Sequence, residues 1–259
     1  MAADNNRFQF ISLSDDIFDA IANKANEATE LLEKWGMKNR MKFATFLYNK
    51  PFQVYQKNDF VLDFFQSSVV TDTLREHAAD GHWAPISSKV THVSVKDVPC
   101  SQLNMSFFDH LHSSGVVRET GHIVKCFDDV MDDFLVSDEL RKVLLDPDCA
   151  NYGMFDEAQR AEFLFRVFKH LALGGPVNQY EDTITPYLDV TKAMYKELVT
   201  VVKDPYTKKL QIASTVFEVT ARVDDAGVFP ENSQHTQTFC YLIIDNARKQ
   251  VKLWYHIWM

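Results

Sequence analysis

No stretch of the 259-residue chain approaches the ~20 consecutive apolar residues that a membrane-spanning helix needs. The first segment, MAADNNRFQF, lacks the basic start and apolar stretch of a secretory signal peptide. Cysteine is scarce. Cys100, Cys126, Cys149 and Cys240 stand far apart with no CxxC pair, which points to reduced thiols in a cytosolic protein rather than to disulfides or zinc. Positive charge is outweighed, with 27 Lys and Arg against 36 Asp and Glu for a formal net charge of -9. Phosphate binding needs a basic face, so nucleic acid is excluded as the main partner, and membrane insertion is not expected. An acidic balance instead favours basic protein partners.

The motifs that carry chemistry are missing too. There is no H-E-x-x-H, and no two histidines stand at i, i+4 beside a carboxylate. His110 and His112 lie two apart on a predicted helix and so diverge; His122 starts a predicted strand, and His170 falls on a polar helix stripe. Gly174-Gly175 follows a helix and is not succeeded by Lys-Ser/Thr, which makes it a helix stop and not a P-loop. No G-x-S-x-G or kinase signature occurs. Cys126 and Cys240 fall in apolar strand predictions, where inert buried thiols are expected.

Two acidic patterns invite a metal. Aligned from Asp128, the EF-hand spacing finds carboxylates at Asp128, Asp132 and Glu139, but Val130 and Asp133 occupy positions where a ligand and a glycine are needed. The run Asp128, Asp129, Asp132, Asp133 therefore reads as a solvated acidic loop. Asp133 to Leu144 (DFLVSDELRKVL) is similar to a helix start in 2-oxoglutarate oxygenases, which hold iron through His-x-Asp and a distant His. No His-x-Asp or His-x-Glu occurs in this chain. No catalytic, cofactor-binding or metal-binding residue is assigned, and no cofactor is expected. The alternative reading is a small metal- or thiol-dependent enzyme whose site residues are not adjacent in sequence.

What is present is core. The chain carries 20 Phe, enough bulky apolar material for a sizeable interior. Asp156 to Pro176 (DEAQRAEFLFRVFKHLALGGP) opens with a near capping box, Asp156 and Gln159, and closes with Gly174 and Pro176. Its polar residues, Gln159, Glu162, Arg166, Lys169 and His170, make one narrow stripe on an otherwise apolar cylinder, so the helix Glu157–Leu173 is predicted to lie buried. Before it, strands are expected at Arg7–Leu13, Met41–Tyr48, Val90–Val98 and, buried, Gly121–Phe127. Helices are expected at Ile17–Trp35, in one or two pieces over Asp59–His77, at Ser101–His112 capped by Ser101, and after a Ser137 cap. Ile184 to about Lys196 follows as a helix with Pro186 in its first turn.

The last quarter turns to Val, Ile, Thr, Tyr and Trp, with strands at Leu198–Lys203, Lys209–Val223, Thr238–Asp245 and Gln250–Trp258. The predicted class is α+β: N-terminal helices with short strands, a central buried helix and a C-terminal antiparallel β-meander. The alternative fold is a degenerate double-stranded β-helix of oxygenase type without its iron site. One domain over residues 1–259 is expected, with a joint at 78–88 if there are two.

Several long strings are specific: Gln102–Phe108 (QLNMSFF), Gly121–Cys126 (GHIVKC), Ser137–Leu145 (SDELRKVLL) and Glu162–Gly175 (EFLFRVFKHLALGG). They continue with Gln179–Leu188 (QYEDTITPYL), Thr207–Val219 (TKKLQIASTVFEV) and Gln237–Asp245 (QTFCYLIID). In order and spacing they resemble the cilia- and flagella-associated protein 300 family, from about Trp35 onward. The resemblance implies a non-enzymatic protein of the cytoplasm and of the motile cilium or flagellum axoneme. It implies an adaptor or assembly factor for outer and inner dynein arms, needed for axonemal organisation and ciliary motility. Its expected partners are axonemal dynein arm components, dynein assembly factors and the intraflagellar transport machinery. Two stretches are candidates for partner binding. One is the acidic run Asp128, Asp129, Asp132 and Asp133. The other is the last strand, where Trp254 and Trp258 would serve if it were a sheet edge open to strand addition.

Overall fold

The computed structural model describes residues 7–13, 20–21, 27–38, 40–77, 83–85, 90–223 and 227–258. Its contacts group the chain into two compact units, each assembled from separated segments: 1–17, 41–98 and 213–259 in the first, 18–40 and 99–212 in the second. The stretch 78–88, where the sequence places a joint, falls within the first unit, and only 83–85 of it is described.

The first unit is built on a seven-stranded antiparallel sheet. In chain order its strands are β1 (Phe10–Leu13), β2 (Met41–Tyr48), β5 (Val90–Val98), β10 (Ser214–Val223), β11 (Gly227–Phe229), β12 (Phe239–Asp245) and β13 (Gln250–His256). A separate pair, β3 (Arg75–His77) with β4 (Trp83–Pro85), lies between β2 and β5 in the chain. The order runs β1-β2-β13-β12-β10, with β5 along the far side of β10 and β11 beside β12 on the near side. Phe217 pairs with both Asp97 and Leu242, which puts β5 and β12 on opposite flanks.

The C-terminal strands therefore do form antiparallel neighbours, but N-terminal strands complete the sheet. β13 is flanked by β12 and β2, so the last strand is interior. Every residue of β12 is buried, as expected for a central strand covered on both faces. One face packs on the helix Lys57–Gln66, whose Phe60, Val61, Phe64 and Phe65 recur at helical spacing and are all buried. Phe60 alone makes edge-on contacts with Phe8, Phe10, Tyr48 and Phe52 at ring separations of 4.8 to 5.3 Å. On the other face Phe239, Tyr241 and Trp254 cluster, also buried. The architecture is thus α+β with one large open sheet; among the described residues no barrel closes, and the double-stranded β-helix alternative is not met.

The second unit surrounds the apolar helix anticipated from the sequence, with one correction. Asp156 and Gln159 form a reciprocal capping box, yet the helix breaks at Glu162 into Glu157–Ala161 and Phe163–Leu173. Glu162 adopts an extended ψ of 136°. Its carboxylate accepts from the Ser101 backbone N–H at 3.0 Å and from the Ser101 hydroxyl, while Phe163 N–H reaches Pro99 O at 2.7 Å. The break lets one buried carboxylate hold a neighbouring segment, so Ser101 is not a helix cap. The turns after it start at Asn104, whose side chain accepts from Ser106 N–H, and run as Met105–Phe108 and His110–Ser113.

Nine of the eleven residues of Phe163–Leu173 are buried, His170 among them, so the polar stripe read from the sequence is not a solvent face. Phe168 packs on Phe108 at 4.4 Å, Phe165 on Phe155 at 5.0 Å, and Phe163 on Tyr195 of the helix Thr185–Leu198 at 6.0 Å. The helix Ala28–Lys34, described for only part of the predicted Ile17–Trp35, ends at Trp35, which stacks on Tyr187 at 4.6 Å. Gly174 follows the Phe163 helix with φ of 66°, and a Cβ there would sit 2.7 Å from Trp35 O; only glycine permits that approach. β8 (Val201–Lys203) and β9 (Leu210–Ile212) form a small hairpin at the end of this unit.

Under the helix Glu139–Leu145 lies an ion pair with no solvent access. Asp138, not Ser137, is the N-cap: its Oδ1 accepts from Arg141 N–H at 2.9 Å and its Oδ2 from the Arg141 guanidinium at 2.8 Å. Arg141 also donates to Ala172 O at 2.9 Å and to the Tyr187 hydroxyl, and stacks on the Tyr180 ring at 4.0 Å. Both partners have 0% side-chain exposure.

Two outcomes test this account. Phe168→Asp places an unpartnered charge in a site whose phenyl burial contributes about 1.5–3 kcal/mol, and is expected to yield insoluble or unfolded protein on expression and circular dichroism. Arg141→Met strands the Asp138 carboxylate and is expected to cost about 3–5 kcal/mol in denaturant unfolding; adding Asp138→Asn, which keeps a cap, should recover much of that loss.

Candidate partner interface

Gly121–Phe127 is expected as a buried strand; in the structure Ile123 is its one buried residue, and Lys125–Phe127 open an exposed hairpin of the second unit. β6 (Lys125–Met131) pairs with β7 (Phe134–Asp138), Met131 opposite Phe134 and Val130 opposite Leu135. Asp132 and Asp133 make the two-residue turn with φ of 47° and 67°. Two positive φ values define the tight turn that matches strand twist, and aspartate is among the few side chains that tolerate them. Thus half of the acidic run is the hairpin tip, while Asp128 and Asp129 lie on β6; all four are exposed.

β7 alternates strictly: Phe134, Val136 and Asp138 face inward and are buried, while Leu135 faces out. β6 does not alternate. Between Lys125, opposite Asp138, and Asp129, opposite Val136, it has three residues where β7 has only Ser137. Such a bulge re-aims side chains, and here Phe127 is left 99% exposed. Val130 at 71% and Leu135 at 48% add to it on the hairpin. Beside Phe127 a groove of about 400 Å³ is lined by Cys126, Met131, Val136, Glu139 and Lys142.

The base of this hairpin is anchored. Asp138 ends β7 and caps the next helix, and Tyr180 donates from its hydroxyl to Leu135 O at 2.8 Å while its ring lies against Arg141. Fixed backbone and exposed phenyl coexist, which is how a preorganised contact surface is built.

The other candidate stretch is placed differently. Trp254 is 0% exposed, its indole N–H 3.4 Å from Met41 Sδ, and Trp258 is buried with the His235 ring stacked on it at 4.3 Å. β13 has partners on both flanks, so it presents no edge for strand addition.

The acidic run does not wrap around a centre. Its carboxylates are strung along an extended ladder, and among the described residues no group of three or more His, Cys, Asp or Glu side chains is placed to hold a metal ion. The thiols are held neutral: burial pushes Cys100 up to about 12, raises Cys240 further, and also raises Cys126 and Cys149. Cys126 is only half-buried and not enclosed in an apolar strand as expected; desolvation is still the largest cause of its raised pKa, and neighbouring carboxylates, led by Glu139 and Asp138, add to it. No described helix is long and apolar enough to cross a membrane.

The signal that would have located this surface is the pattern FDDVMDDFL itself. Its two acidic pairs are separated by the apolar pair Val130-Met131, and the second, Asp132-Asp133, falls between two β-rich runs. Spaced carboxylates suggested a loop, and hid a hairpin.

The family profile of cilia- and flagella-associated protein 300 matches residues 7–256, reaching well upstream of Trp35. A Chlamydomonas reinhardtii cilia- and flagella-associated protein 300 is 34% identical over 233 residues, covering 88% of this chain and 90% of that protein. The Paramecium tetraurelia protein of the same name is 32% identical over 235 residues, 88% of each. No solved structure matches the chain. That family name describes association with cilia and flagella and no catalytic activity. With nearly every described element inside the matched span, the chain belongs to the cilia- and flagella-associated protein 300 family.

Proposed function

We propose that this protein is a non-enzymatic adaptor for outer and inner dynein arms. It binds arm components or their assembly factors in the cytoplasm and accompanies them into the cilium, where the intraflagellar transport machinery is its carrier. The observation that carries this reading is the match to a ciliary family over residues 7–256. The exposed Phe127 hairpin suits it, because adaptor function requires a surface with an aromatic anchor and a charged rim.

The test is removal of the protein from a ciliating cell, followed by electron microscopy of axoneme cross-sections and by affinity purification of the tagged chain. Missing outer and inner arms are expected, together with co-purification of arm subunits or their assembly factors. Intact arms of both kinds in its absence would overturn the proposal.

A further inference from the structure

We infer that the β6–β7 hairpin is the docking element of this protein, and that its occupant is a basic amphipathic segment of a partner protein, with an apolar side chain seated beside Phe127 and Lys or Arg on its flanks. The inference deepens the adaptor reading and rests on it.

Three observations carry the placement. Phe127 is 99% exposed, and an occupant that covers it removes a whole phenyl ring from water. Its exposure is built in, because the bulge between Lys125 and Asp129 directs it outward from a ladder that is regular elsewhere. The groove next to Phe127, lined by Cys126, Met131 and Val136, has room for a side chain of the occupant, while Val130 and Leu135, a cross-strand pair exposed on the other face of the hairpin, add apolar surface outside it.

Charge selects the occupant. Asp128 and Asp129 directly follow Phe127 on β6, Asp132 and Asp133 form the tip, and Glu139 lines the groove beside a single cation, Lys142, so carboxylates outnumber it. A second copy of this chain would bring the same carboxylates against them, and the whole chain is at -9; a nucleic acid or an anionic lipid surface is repelled for the same reason. A cationic segment meets complementary charge, which speeds its encounter and rejects acidic competitors. The tight two-residue tip and the anchored β7 leave little of the hairpin to order on binding.

The experiment uses the full chain and three probe peptides: an amphipathic Leu/Lys helix, its Leu/Glu counterpart, and a Lys peptide of equal charge without the apolar face. Fluorescence anisotropy at low and raised salt should show binding of the Leu/Lys peptide alone, weakened by salt and by about tenfold in Phe127→Ser. The Asp128→Lys, Asp129→Lys double variant should reverse the preference toward the Leu/Glu peptide. Phe127 touches solvent, so Phe127→Ser should melt like the parent protein. Equal affinity of parent and Phe127→Ser chains for the Leu/Lys peptide would overturn the inference. So would binding of the Lys-only peptide as tight as that of the Leu/Lys peptide, or a dimer in sedimentation that Phe127→Ser dissolves. In cells lacking the protein, Phe127→Ser should restore arms less well than the parent chain. Full rescue by Phe127→Ser removes this docking site and leaves the adaptor reading standing, whereas intact arms without any protein remove the adaptor reading itself.

Discussion

One buried ion pair sets the geometry on which the second unit depends. Asp138 closes β7 and caps the helix that follows, so a single carboxylate fixes both the exit of the hairpin and the entrance of the helix. Arg141 carries that fixed point into the interior, where it reaches Ala172 at the end of the Phe163–Leu173 helix and Tyr187 on Thr185–Leu198. Removing two charges from water is expensive, and a pair this deep adds little net stability over apolar residues of the same volume. Its contribution is positional. One carboxylate meets both the Arg141 N–H of the cap and the guanidinium, and so ties the exit of the hairpin to the interior of the unit.

That restraint explains how a phenyl ring can stand in water on an ordered element. A flexible loop would fold Phe127 back onto the nearest apolar surface. Here the turn at Asp132-Asp133, the bulge below it and the Tyr180 contact at Leu135 hold the backbone against that collapse. Under the docking proposal, that surface is held ready for an outside chain, and the carboxylates around it serve solubility when it is empty and selectivity when it is filled.

The first unit obeys a different constraint. Its sheet joins strands from the two ends of the chain, since β2 near the N-terminus pairs along nearly the whole of β13. Contacts of such sequence separation must be closed at an entropic cost before they are rewarded. The reward is a dense aromatic interior around Phe60 and Phe64, ring edges on ring faces, on one side of the sheet. The same pairing makes β13 interior, and Trp254 on it is buried.

Local chemistry determined much of the fold from the residues themselves. The capping box at Asp156, the stop at Gly174, the Pro186 helix start and the β-rich last quarter each rest on interactions among near neighbours, and each appears where the sequence places it. The unbroken strings from Gln102 to Asp245 were enough to point to the family. Tertiary structure decided the rest, wherever a distant partner outweighed local preference. Ser101 drew Glu162 out of a helix that its own neighbours favoured, Arg141 selected Asp138 over Ser137 as the cap, and β2 and β12 together enclosed the last strand. The candidate site lies on that boundary. Its acidic residues were visible in the sequence because charge is a local property, but the exposure of Phe127 was not. Whether an apolar residue is buried depends on the register of the strand opposite it, and a bulge changes that register without changing a residue of the pattern.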